Sequence, residues 1–213
     1  MVVMPRTDEP GGNREIYRAA SAPWLTGFLT VLGIVVGAAG WGHTAAHHAA
    51  AVCSGLALFA LAYTLYWRPR LEVHQKLVRL VNPVRTVDIP WGRIVDVRTR
   101  FAVTIATEHR AHSSFALPSA GAGAALRSGA DAVNRNHPIA RPGGAVRVGD
   151  LTSTASGAAA HRVRTVWQRK IDTGELDVFA DERGVEPVQT RVAAGPLAAV
   201  VVLTAASVLL YAV

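Results

Sequence analysis

Cysteine is nearly absent from this chain: its 213 residues include one, Cys53. One thiol cannot close an intrachain disulfide, so nothing points to a disulfide-stapled exterior domain. Charge is scarce too, at 17% of residues, and three long stretches (24–42, 45–67 and 193–213) contain no Asp, Glu, Lys or Arg at all. No lone charge interrupts these runs, so an ion or proton pathway through them lacks support. The chain also lacks G-x-S-x-G, a P-loop, H-E-x-x-H, C-x-x-C and a dinucleotide fingerprint. Its Ser, His and Asp residues form nothing resembling a nucleophile setting. No catalytic residue, metal ligand set or cofactor is therefore assigned, and the chain is not read as an enzyme.

What the sequence has in quantity is apolar surface, half of all residues, gathered at its two ends. At about 1.5 Å rise per residue, residues 24–42 can cross a hydrocarbon core of roughly 30 Å. A signal peptide is the competing reading, because Arg14 and Arg18 precede the run. The apolar stretch is long for one, and a second run follows at once. Trp24, Trp41, Tyr63, Tyr66 and Trp67 mark the run ends as interfacial aromatics do. The link between the runs is only a few residues, which predicts an antiparallel hairpin. Gly33 and Gly37 form a G-x-x-x-G pair that would let its backbones approach closely. Lys and Arg lie before the first run and after the second, with none between, so the positive-inside rule puts the N-terminus and central domain in the cytoplasm. The last run, with Arg191 before it, then leaves the C-terminus outside. The expected location is the cell membrane, multi-pass.

Between the anchors the pattern changes to short alternating runs: 71–73, 77–81, 84–89, 94–100, 101–107 and 112–115. Turn signals separate them, including Asn82-Pro83, Pro90-Trp91-Gly92 and Glu108-His109-Arg110. Such spacing predicts an antiparallel meander that curls into a barrel or packed sheets. Pro90 must end a strand, since it lacks a ladder donor. Residues 117–155, rich in Ala, Gly, Ser and Pro, form a linker with a candidate helix at 124–133. A second helix is predicted at 157–171 with Ser156 as N-cap, burying Ala159, Val163, Val166, Trp167 and Ile171 on one face. Trp167 would dock it on the sheet or at the bilayer, with Arg162, Arg164 and Arg169 off that face. An acidic loop follows. The domain plan is thus a polar, poorly ordered tail (1–22), a transmembrane hairpin (23–67), a β domain (68–116), a linker (117–155), a helix with acidic loop (156–192) and a C-terminal transmembrane helix (193–213).

Arg68-Pro69-Arg70 after a hairpin, then Asn82-Pro83, Ile89-Pro90-Trp91, Ile94-Val95-Asp96-Val97 and Phe101-Ala102-Val103-Thr104, resemble actinobacterial membrane proteins with a bacterial PH-like domain. That group is related to a low-molecular-weight protein antigen. Gly149-Asp150-Leu151 and Ser156-Gly157-Ala158-Ala159-Ala160, leading into Val163 and Trp167, continue the likeness. The resemblance implies an α+β membrane protein with a small antiparallel PH-like barrel and one or two helices. It supplies no catalytic residue and no activity.

The formal net charge is +7. Arg6, Arg14 and Arg18 cancel Asp8, Glu9 and Glu15 before residue 68, so the excess lies after the hairpin. A basic domain beside a membrane suits an anionic surface better than nucleic acid. Arg68 and Arg70 serve topology, while Arg79, Arg85, Arg98 and Arg100 are the candidate lipid- or partner-binding residues. Trp91 and Phe101 are expected in the core. His43 and His47 have helical spacing for a metal, but no carboxylate or thiolate nearby completes the site. Cys53 is a packing residue. The sequence therefore predicts a non-enzymatic membrane protein whose cytoplasmic PH-like domain binds a membrane-protein partner or anionic headgroups. An accessory subunit of a membrane enzyme or transporter is the alternative. In the enzyme version a site would be assembled from His109, His112, Asp96 and Glu108.

Overall fold

A single apolar segment that crosses a bilayer on its own does so as a helix, which satisfies each N–H and C=O within the segment; the other solution is a closed barrel of many strands. The charge-free runs of this chain are helical in the computed structural model, which describes residues 6–7, 14–42, 44–99, 101–118, 154–176 and 186–212. Strands β1 (Arg6–Thr7) and β2 (Glu15–Tyr17) precede helices α1 (Ala22–Ala39) and α2 (Ala45–Ala62). Next come β3 (Arg70–Val73), β4 (Leu77–Val81), β5 (Arg85–Pro90), β6 (Ile94–Arg98), β7 (Ala102–Thr107) and β8 (Ala111–Pro118). Helix α3 (Ala155–Asp172), strand β9 (Gln189–Val192) and helix α4 (Ala194–Tyr211) complete the order. The chain divides into a helical unit and a sheet unit.

In the helical unit, α1, the α2 segment extended to Trp67, and α4 are each long and apolar enough to cross a membrane. Thr44 caps α2 by accepting the His47 N–H. α2 runs on into a π-helical turn, Tyr63–Trp67, closed by the Arg68 N–H on the Tyr63 carbonyl at 2.8 Å. The hairpin packs backbone to backbone: a Cβ added at Gly33 would lie 2.7 Å from the Gly55 carbonyl oxygen. Gly37 faces the same helix, opposite Val52. Helix α4 is held to α2 by Ser54 and Ser207, whose hydroxyls are 2.6 Å apart, with Ser207 also donating to the Ala50 carbonyl. Most other α4 side chains point outward.

The sheet unit holds a six-stranded sheet, ordered β1-β2-β3-β4-β5-β9, and a three-stranded sheet, β6-β7-β8; they do not close into the expected barrel. Alternation decides what is buried. Leu71, Val73, Val78, Leu80, Val87 and Ile89 from the larger sheet meet Val97, Val103 and Ile105 from the smaller in one core. Trp91 lies within it, its indole N–H on the His74 carbonyl at 3.1 Å. Asn82 ties β4 to β8, donating to the Ser113 carbonyl at 3.0 Å and accepting the Phe115 N–H at 2.7 Å. Pro90 ends its strand as required.

Three sequence expectations change, and one that had two alternatives takes the first of them. Residues 14–17 are not a loose tail: Tyr17 pairs with Leu71 and Glu15 with Val73. Phe101 is 76% exposed, because it falls in the turn between β6 and β7 and not on an inward strand position. The α3 N-cap is Thr154, which accepts the Gly157 N–H at 3.0 Å; Ser156 is buried inside the first turn. Finally, α3 packs on the sheets, since Ala159, Ala160 and Val163 are fully buried in the core and Trp167 lies against it. The candidate helix at 124–133 falls outside the described residues.

The sheet's outer face is a charge ladder. Glu72 is fully buried and receives Arg14, Arg70 and His74. Cross-strand from it stand Arg79 and then Asp88. Burial alone would raise the Glu72 carboxyl, but the hydrogen bonds from Arg70, His74 and Arg14 outweigh it and take the pKa to about 2. Arg162 of α3 likewise grips Glu15 of β2, whose carboxyl is lowered against the opposing effect of burial.

Two predictions follow from this packing. A carboxyl lowered from 4.5 to about 2 contributes stability that is fully present above pH 4.5 and is lost as pH falls toward 2. Glu72→Gln should remove on the order of 3 kcal/mol at neutral pH and flatten the acid limb. The check is unfolding free energy by circular dichroism from pH 7 down to pH 2, where a wild-type–variant gap that stays constant would refute the clamp. In the hairpin, Gly33→Leu should cost about 1–3 kcal/mol by overpacking. Gly27→Leu, where an added Cβ meets nothing within 4 Å, should stay within about 0.5 kcal/mol in the same thermal melt.

Candidate functional site

The sheet unit concentrates exposed cationic groups at the turn joining β7 to β8. Thr107 holds that turn closed, its N–H and its hydroxyl both donating to the Arg110 carbonyl at 2.8 Å. Glu108, His109 and Arg110 at its apex are exposed, and His112 sits one turn of the pleat further on, nearly buried. A 3-10 turn, Trp91–Arg93, delivers Arg93 to the same place, because burial of Trp91 leaves Arg93 outward. Arg93 Nε donates to the Glu186 carbonyl at 3.4 Å, and the chain from there supplies Pro187, Val188 and Thr190 as the far wall. The result is a cleft of about 430 Å³.

Among the described residues, two guanidiniums, two imidazoles and one carboxylate, Glu108, line this cleft. Planar N–H donors around a concavity suit a carboxylate or phosphate, which guanidinium binds in a bidentate manner. The Thr107 hydroxyl is engaged by the Arg110 carbonyl. Among the described residues no group of three His, Cys, Asp or Glu could hold a metal ion. His43 lies outside the described residues, while His47 sits beside Thr44 and the Tyr211 ring.

The four arginines singled out from the sequence do not form one face. Arg79, on β4, makes a bidentate pair with Asp88 at 2.5 and 2.9 Å, which raises its own pKa through that hydrogen bond. Arg98, on β6 of the other sheet, pairs with Asp96 at 2.7 Å. Arg85 is exposed where β5 begins, and Arg100 lies outside the described residues. Of the residues named for an enzymatic alternative, His109, His112 and Glu108 share the cleft, whereas Asp96 is engaged by Arg98. Arg110 was not singled out, and Arg93 belonged to the basic run that was noted but not to the four candidates chosen from it. The turn at 108–110 was legible and fixes Arg110 at an apex, but Arg93 reaches the cleft only because the segment after residue 185 folds back on it.

Residues 68–138, about one third of the chain, match the family model of the bacterial PH domain. The match contains β3 to β8; β2 and α3 lie outside it. No curated protein and no solved structure matches the chain.

The different surroundings of the two paired arginines set their costs apart. Asp88 is nearly buried under Arg79, so Arg79→Ala should destabilise by about 1–3 kcal/mol through the stranded carboxylate. The Arg98–Asp96 pair is exposed on both sides, and Arg98→Ala should fall within about 0.5 kcal/mol. Denaturant unfolding of the two variants decides this, and equal costs would remove the structural role given to Arg79.

Proposed function

We propose that this chain is a non-enzymatic, multi-pass cell-membrane protein whose PH domain is a cytoplasmic binding module, taking an acidic segment of a protein partner in the cleft of Arg93, His109, Arg110 and His112. The carrying observation is the convergence of those four nitrogen-bearing side chains on one concavity, where Glu108 is the one carboxylate among the described lining residues. A concave site with low-dielectric walls focuses its field on an anion better than a flat surface does. Arg79 and Arg98 are each engaged by a carboxylate, which weakens the reading of a flat lipid-binding face built on them.

The membrane placement rests on three apolar helices and on Lys and Arg at the run ends. Strand pairing supports it: β2 precedes the hairpin, β3 follows it, and the two are neighbours in one sheet. Both ends of the hairpin must then emerge on the same side of a bilayer. The likeness to the actinobacterial antigen-related group supports the same plan.

The test uses the full chain in neutral-lipid nanodiscs, with isotope-labelled histidine and a titration of short poly-glutamate peptide. The His109 and His112 signals should move together, with affinity falling as salt rises. Arg110→Glu should weaken binding at least about tenfold, or 1.4 kcal/mol. Movement with anionic nanodiscs but not with peptide would make the ligand a lipid surface. No movement with either would end the binding-cleft reading.

A further inference from the structure

Within the helical unit, α2 and α4 separate toward the α2 C-terminus and leave a groove of about 340 Å³. Leu56, Phe59 and Tyr63 form one wall at helical spacing; Pro196, Ala199 and Leu203 form the other. Small residues open it: a Cβ built on Gly195 meets nothing within 4 Å. Apolar walls of this kind in a membrane-spanning unit face acyl chains.

One end of the groove is not apolar. The Pro83–Arg85 segment is tied to both helix ends: Arg68 donates to the Pro83 carbonyl at 3.3 Å, and the Ala193 N–H donates to the Val84 carbonyl at 2.8 Å. Arg68 and the exposed Arg85 therefore stand where α2 finishes and α4 starts. Among the described residues no carboxylate pairs with Arg85. The first turn of α4 carries no acidic residue, and its N–H groups add partial positive charge there. Tyr63 lines the same end, where an interfacial aromatic belongs.

We infer that this groove is a bound-lipid site for one anionic phospholipid, its acyl chain between α2 and α4 and its phosphate beside Arg85, Arg68 and the start of α4. The match of an apolar slot to a cationic end decides the occupant. A helix from a second copy would fill the slot but bring no anion to Arg85. The inference rests on the membrane-spanning reading and not on the peptide cleft, which lies in the other unit.

The experiment is native mass spectrometry of the full chain, released from mixed micelles holding equal amounts of phosphatidylglycerol and phosphatidylcholine. One phosphatidylglycerol should be retained in preference. Arg85→Gln should cut that preference about five-fold, the effect of one charge near an anionic surface. Gly195→Leu should expel lipid of either headgroup, and Ala60→Leu, from the opposite wall, gives the same reading should the first variant fail to fold. Arg110→Gln should leave retention unchanged, so failure of the cleft reading would not imitate failure here. Equal retention of both lipids, undiminished retention in the filled variants, or a dimer that the filled variants dissociate would each overturn the assignment.

Discussion

A buried carboxylate must keep its hydrogen-bond partners or lose its charge, and Glu72 draws its partners from before and after the α1–α2 hairpin. Arg14 comes from before α1, and Arg70 and His74 come from after α2. Each partner lost weakens the compensation of a charge that no water screens, so the clamp ties the segment before the hairpin to the sheet it joins. The backbone agrees with the side chains, since Glu15, Ile16 and Tyr17 add a strand to β3 and Tyr17 enters the core. Arg162 of α3 holds the same strand through Glu15. The sheet that residues 68–138 enter is therefore completed by residues outside the bacterial PH domain match, sequence-distant but strand-adjacent.

That arrangement explains which parts of the fold could be read in advance. The absence of charge over residues 24–42, 45–67 and 193–213 marked the helices, because continuous apolar runs of that length satisfy their own backbone groups as helices. Alternation marked β3, β4 and β5, and Pro90 marked an end, because each signal is local. Strand β2 was not legible: three residues carry no periodicity, and what makes them a strand is β3, lying beyond the hairpin. Phe101 was misplaced for a related reason. Hydrophobicity says that a side chain prefers burial, while its position in a turn decides whether burial is open to it. The failure of the sheets to close is a matter of strand order and not of any one residue, so no residue signalled it.

The candidate site was legible only in fragments. A count of arginines says how much positive charge the domain carries, but the nearest carboxylate decides what each charge does. Arg79 lies directly across from Asp88, and Arg98 two residues from Asp96, so both are absorbed into the domain's own electrostatics. Arg162 and Arg164 are absorbed in the same way, by Glu15 and by the Val97 carbonyl. Cross-strand pairing makes such neighbours, and register cannot be read from composition.

Cations that gather at a concavity then carry more meaning than the net charge of the chain. In the sheet unit they gather at the β7–β8 turn, whose apex exposes Glu108, His109 and Arg110 and where the returning chain at 186–190 supplies a wall. In the helical unit they stand at the α2 and α4 ends, where topology alone would require positive residues. Orientation needs charge only near the membrane exit and is indifferent to its exact placement. An anchoring of Arg68 and Val84 by specific backbone hydrogen bonds, beside an apolar groove, goes further than orientation demands. That surplus of geometric definition separates a binding site from a topology signal: a charge that only orients a helix can wander, whereas one that holds a ligand must be held itself.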